Sequence, residues 1–341
     1  MGCNLHNLKL MKSAQPIEST MQWRTLCLWL AAFLVIPLRP AYPATALQMP
    51  QASSLNEETK TQQLLTQQLD AGDLPNAIST GEAAINQWPR DAQLRHYLGL
   101  AYFKSGNVAR AREQLTRARD LAPADSTTHF DLALVFLSAQ DYDSAATELQ
   151  SSIKSQPSNA LTHVLLGRAY LNSNRTLQAI DEFKTALKLE PTIKLGHYHL
   201  GFAYFSLGRN DQAIAEYREE LARSGDNPTV LYELGRTLLE SGKYTDAATY
   251  LQRALTLNSS NADAWYMFGK VQALAGENAK AELALKKAAQ LNPTDPSPHY
   301  QRARVLEKMG RADEARSERQ KFADLKKSQP AAAGMATGRE H

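Results

Sequence analysis

Apolar, small and polar residues recur along the chain with a period of 34, without insertion from Glu58 to Pro330, in units that begin at 58, 92, 126, 160, 194, 228, 262 and 296. The seventh position of the units carries Leu64, Leu98, Leu132, Leu166, Leu200, Leu234 and Phe268 before it changes to Arg302. The eighth is Leu65, Gly99, Ala133, Gly167, Gly201, Gly235, Gly269 and Ala303, and the twentieth is alanine in all eight units, from Ala77 to Ala315. Apolar residues at helical spacing on both sides of a central break predict two amphipathic helices per unit. The small eighth position lets the two cross closely. The break itself falls on Gly72, Gly106, Gln140, Asn174, Gly208, Gly242, Gly276 and Gly310, mostly residues suited to the left-handed conformation that ends a helix. Pro89, Pro123, Pro157, Pro191 and Pro293 then close five units, because proline cannot continue a helix.

The small, apolar, alanine and proline positions of this unit resemble the tetratricopeptide repeat over residues 58–329. The resemblance implies an all-α fold, a right-handed α-solenoid superhelix of eight antiparallel helical hairpins. It also implies that the first helix of each unit lines a concave groove that receives partner segments. Several positions depart from the pattern: Leu65 stands where a small residue is usual, and Gly225 and Ser259 replace the closing proline. Residues 224–227, between the fifth and sixth units, are the expected place for bending. Both ends are polar, with ETKTQQLLTQQLD opening the array and EARSERQKFADLKK closing it, as a solenoid requires of units that have only one neighbour.

Ahead of the repeats, Thr25 to Leu38 form an apolar run behind Arg24. It is shorter than the ~20 residues of a membrane span. With the small residues at Ala44 and Ala46 it reads as a signal peptide, residues 1–46, cleaved after Ala46. A start at Met21 gives the leader a more usual length. The alternative is an uncleaved anchor through residues 25–38, and only then is the membrane a partner. The expected localisation is export, to the periplasm or the medium. Residues 47–57 read as a linker and 330–341 as a disordered tail, since neither shows periodicity.

The formal charge of +3 comes from that leader, which holds four cations against one anion; the remainder balances 34 cations with 34 anions. A neutral repeat array lacks the field of a nucleic-acid binder. Both cysteines, Cys3 and Cys27, also lie in the leader, so disulfides and thiolate metal sites are not expected in the array.

No phosphate-cradling loop, nucleophile elbow or HExxH pattern occurs, so neither catalysis nor a cofactor is expected. His129, His163 and His197 share the fourth position of successive units, with His199 and His299 beside or beyond them. Equivalent points on stacked hairpins are about 8–10 Å apart, too far for ligands that must each reach zinc at ~2 Å. They are expected to pack with their ring tips in water. The acidic pairs Glu219/Glu220 and Asp141/Asp143 are expected to be solvated or to cap helices.

Positions 5 and 9 of the first helix lie four residues apart and share a face, the face that lines the groove in the resembled family. Along the array they give Phe130 with Leu134, Val164 with Arg168, Tyr198 with Phe202, Tyr232 with Arg236, Tyr266 with Lys270 and Tyr300 with Arg304. The early groove is apolar, with Leu100, Phe103, Leu137 and Leu171 adding to Phe130 and Leu134; the later groove sets tyrosines beside cations. This pattern points to a protein or peptide partner whose segment combines aromatic or proline residues with acidic ones. Three roles fit: an envelope scaffold without catalytic function, a regulatory or substrate-presenting subunit of an envelope or polysaccharide-assembly enzyme, and a structural protein that forms homo-oligomers.

Overall fold

The structure is a computed structural model that describes residues 52–328. The leader and the tail, 330–341, lie outside the described residues. Sixteen helices follow one another: α1 (Ala52–Asp70), α2 (Leu74–Gln87), α3 (Ala92–Lys104), α4 (Val108–Leu121), α5 (Ser126–Ser138), α6 (Tyr142–Ser155), α7 (Ala160–Asn172) and α8 (Thr176–Leu189), then α9 (Gly196–Ser206), α10 (Asn210–Ser224), α11 (Pro228–Glu240), α12 (Tyr244–Leu257), α13 (Ala262–Leu274), α14 (Asn278–Leu291), α15 (Ser297–Lys308) and α16 (Ala312–Ser328). They make eight antiparallel hairpins in register with the 34-residue period. One boundary differs from expectation, because α1 already runs from Ala52 through most of the linker 47–57. No glycine or proline interrupts residues 51–70, so nothing stops that helix.

The break inside each hairpin has a single geometry. Gly72, Gly106, Gly208, Gly242, Gly276 and Gly310 all have positive φ, and Gln140 and Asn174 take φ 60° at the same place. Starts are fixed from outside the helix. Asp91, Asp125, Asn159, Asn227 and Asn261 each accept hydrogen bonds from backbone amides in the first turn of the helix that follows, satisfying donors that a helix leaves free.

Size complementarity closes the hairpins. A Cβ on Gly99, Gly167, Gly201, Gly235 or Gly269 would stand 2.5–2.9 Å from the side chain sixteen residues on, respectively Leu115, Phe183, Tyr217, Leu251 and Leu285. In the first unit the sizes are exchanged, Leu65 facing this position from the first helix and Gly81 from the second. The space over Gly81 is filled by Leu98 of the next unit, 2.9 Å from where a Cβ would be. The recurrent alanines, Ala77 to Ala315, are at most 1% exposed. Each second helix also packs on the first helix of the next hairpin, and the largest core cluster runs across hairpins from Ala133 to Ala284.

The unit beginning at 194 is built differently. Its predecessor ends with Ile193 where six of the other units have Asp or Asn, and Leu195 adopts φ 61° before α9 begins. The amides of Leu195 and Tyr198 donate instead to Glu220 on α10, at 3.2 and 3.4 Å. Glu220 is 3% exposed. It is therefore a buried cap for a different helix, not a solvated carboxylate. At the expected bend, residues 224–227, Gly225 ends α10 with φ 75° and Asn227 caps α11.

Candidate functional site

First helices of successive hairpins touch, α3 with α5 and each of α7, α9, α11 and α13 with the next, whereas successive second helices do not approach as closely. The side on which helices crowd is the inner side of a curved stack. Positions 5 and 9 of the first helices are for the most part half-exposed between buried neighbours.

Phe130, Leu134, Arg168, Tyr198, Phe202, Tyr232, Arg236, Tyr266 and Lys270 are all partly buried, and Tyr300 and Arg304 are exposed. Val164 is nearly covered, at 3% exposure. At its opening end the face is neither apolar nor charged: Gln62, Gln63, Thr66, Gln67, Gln93 and Tyr97 line an open concavity of about 430 Å³. The apolar stretch expected of the early groove starts only after them, with Leu100 and Phe103.

The tyrosine and cation pairs are not alike. In the sixth unit Arg236 lies 2.9 Å from Glu233 on its own helix, and its guanidinium stacks over Phe205 at 4.3 Å. Burial pushes the Glu233 carboxyl up while Arg236 pulls it down and Glu240 raises it further. Burial also lifts the Tyr232 hydroxyl to about 12. Lys270 makes no ion pair with any described residue. Arg304 lies 5.9 Å from the centre of the Tyr300 ring and makes none either. The expected ladder of three equal pairs is thus one occupied rung followed by two open ones.

The histidines have a structural task. Nδ1 of His129, His163, His197 and His299 lies 2.5–2.7 Å from a carboxylate nineteen residues on, in Glu148, Glu182, Glu216 and Glu318. Nε2 of His129 and His163 lies 3.1 Å from the carbonyls of Pro123 and Pro157. The ring tips of these two are therefore bonded and not wet. Each ring ties the two helices of a hairpin together, and two of them also tie down the preceding turn. In the sixth and seventh units Leu231 with Tyr250 and Trp265 with Ala284 stand at the same two positions. His199 stacks on Phe183 at 5.5 Å, and burial, with the charge of Arg168, lowers its imidazole to about 3. Among the described residues no group of three or more His, Cys, Asp or Glu is placed to hold a metal ion, and no helix is long and apolar enough to cross a membrane.

Glu220 was named only as one of an acidic pair, and neither its reach to α9 nor the His–Glu ties were foreseen from the sequence. Both had a signal in the comparison of units. Glu220 replaces an alanine or serine found at that place in six of the other units, and histidine at position 4 always occurs with glutamate at position 23.

Models of the tetratricopeptide repeat match residues 66–126, 98–160, 130–192 and 232–296, and two related models of the same repeat match 195–260 and 284–317. No curated protein sequence matches the chain. Among solved structures, a tetratricopeptide repeat protein from Parabacteroides merdae is 15% identical over 74% of this chain and 99% of its own, with a TM-score of 0.56. Pseudomonas aeruginosa PilF is 20% identical over 61% of this chain and 94% of its own, with a TM-score of 0.53. At such identities the likeness is one of fold. Hairpins in 34-residue register, left-handed breaks, the packed alanines and models that together match more than half of the sequence lead to one conclusion: this all-α, right-handed solenoid belongs to the tetratricopeptide repeat family.

Proposed function

We propose that the chain is a protein-interaction scaffold without catalytic function, exported to the cell envelope, whose concave groove holds an extended segment of a partner protein. The observation that carries this reading is the row of partly exposed rings, Tyr198, Phe202, Tyr232, Tyr266 and Tyr300, ending beside two cations, Lys270 and Arg304, that have no counter-ion among the described residues. Aromatic rings with a hydroxyl suit recognition at a wet surface, and a cation without a partner offers a charge-assisted hydrogen bond to a carboxylate. The preferred segment therefore combines aromatic or proline residues with acidic ones. Export rests on the sequence of residues 1–46.

The experiment is photo-crosslinking in envelope extract, with the reactive group at position 266 and with or without Lys270→Glu and Arg304→Glu together. The expected result is a discrete crosslinked partner that the charge reversal removes. Recovery of the same products from both proteins would overturn the reading.

A further inference from the structure

The tyrosines of the later groove recur once per hairpin. Tyr198, Tyr232, Tyr266 and Tyr300 stand at the fifth position of four successive units, and in the last two a cation, Lys270 or Arg304, follows four residues on. The helices that carry them touch in turn, α9 with α11, α11 with α13 and α13 with α15. Side chains join successive units as well: the guanidinium of Arg236 lies over the Phe205 ring of the preceding hairpin, 4.3 Å from its centre. The row is open to solvent. Tyr198, Tyr232, Tyr266 and Lys270 are partly exposed, and Tyr300 and Arg304 are exposed, with Arg304 5.9 Å from the centre of the Tyr300 ring.

A segment that lies along this row meets the next ring after one hairpin step, roughly 8–10 Å, and the backbone that fits must return a side chain to the same face at that interval. A β-strand does not. Its same-face side chains are about 6.6 or 13 Å apart, and the residue that comes nearest to the step, the third, points the other way. An α-helix returns after seven residues, about 10.5 Å, just beyond the step, and its carbonyls are already bonded to its own amides. A polyproline II helix returns every third residue, about 9.3 Å, and leaves its carbonyls free. Its three residues per turn form three straight columns, so one column faces the rings while another faces the cations. Proline rings pack on aromatic faces, and a tyrosine hydroxyl can donate to a free carbonyl.

Resting on the groove reading above, we infer that the segment held by the fifth to eighth units is a polyproline II helix with two acids three residues apart, one facing Lys270 and the next facing Arg304. Arg236, in the same place one unit earlier, is already paired with Glu233 at 2.9 Å. An acid brought there gains less, because it meets a like charge beside the cation. The recognised sequence is therefore proline over the fifth and sixth units and acids in register over the seventh and eighth.

The probes are capped, proline-rich peptides of one composition whose two glutamates stand roughly two, three or four residues apart, each made in both chain directions. A further peptide, rich in alanine, sets its glutamates about seven apart for the helical register. Calorimetry with the full chain is expected to show the three-residue spacing binding about tenfold more tightly than any other, and circular dichroism to show the bound peptide keeping its polyproline II signal. Tyr300→Ala, at an exposed ring, should weaken that peptide; thermal melting checks that the variant folds. Binding at two- or four-residue spacing as tight as at three overturns the inference, and so does tighter binding of the helical peptide. If Lys270→Glu with Arg304→Glu still removes the binding in those cases, the groove reading stands; binding that survives the charge reversal overturns both. No binding by any peptide in either direction overturns the inference alone, because crosslinking of the natural partner at position 266 tests the groove reading separately.

Discussion

The ring of Phe183 lies 2.5 Å from where a Cβ on Gly167 would stand, so an aromatic side chain covers a residue that has none. Gly167→Ala therefore forces the fourth hairpin apart, at a cost of about 1–3 kcal/mol in urea unfolding. Gly201→Ala, facing Tyr217 at 2.9 Å, is expected to cost less. Gly201→Trp is expected to break the fifth hairpin, lowering both the melting temperature and the helical signal.

His199 makes stability depend on pH. The unfolded chain takes a proton on this imidazole near the ordinary value of ~6.5, whereas the folded chain resists it until about 3. Between these values the unfolded state binds more protons, so stability rises with pH across that window and is fully present above it. Urea titrations should show a contribution from this residue of up to ~1.4 kcal/mol per pH unit. In His199→Leu that part of the slope should vanish.

Glu220 holds the start of α9 from the neighbouring helix. Glu220→Ala leaves the amides of Leu195 and Tyr198 without an acceptor, and the expected loss is about 1–3 kcal/mol. Amide exchange at residues 195–199 should quicken more than at the equivalent residues 229–233, where Asn227 supplies a local cap. Equal protection at both places would show that Glu220 does not act as the cap.

The charged rungs separate into two kinds. Lys270→Glu with Arg304→Glu should leave helical content and melting unchanged and abolish binding of an acidic segment, an effect that high salt imitates. Arg236→Glu is different, since it sets a new anion beside the buried Glu233. It should destabilise the sixth hairpin by at most about 3–5 kcal/mol, and the loss should shrink when Glu233→Gln is added.

The hairpin plan was legible because one unit is written eight times: Gln140 and Asn174 could be read as left-handed breaks only because glycine stands in register with them elsewhere. Which residues share a face of each first helix was likewise legible, since spacing by four fixes it. What the residues of that face do was not. Arg236, Lys270 and Arg304 look equivalent in sequence, and only the placement of Glu233 and Phe205 around the first sets it apart. Glu220 reaches an amide twenty-five residues away, and such a contact leaves no trace in local periodicity. It shows only as two departures from the pattern, at Ile193 and at Glu220, that no single unit reveals as a pair.

The exchanged sizes in the first unit bear on how this gene can recombine. Repeats of one length invite crossovers in register, and most would pass unnoticed: joining the first helix of the second unit to the second helix of the sixth sets Gly99 against Leu251, the same sizes as before. A crossover that involves the first unit does not. Its first helix joined to the second helix of the fourth unit would press Leu65 into Phe183, and the reciprocal product would put Gly167 in place of the fully buried Leu65 and leave a cavity there. Overpacking in one product and a cavity in the other both destabilise. The inverted pair thus acts as a mark of position, by which the array excludes its first unit from exchange with the glycine-bearing units that follow.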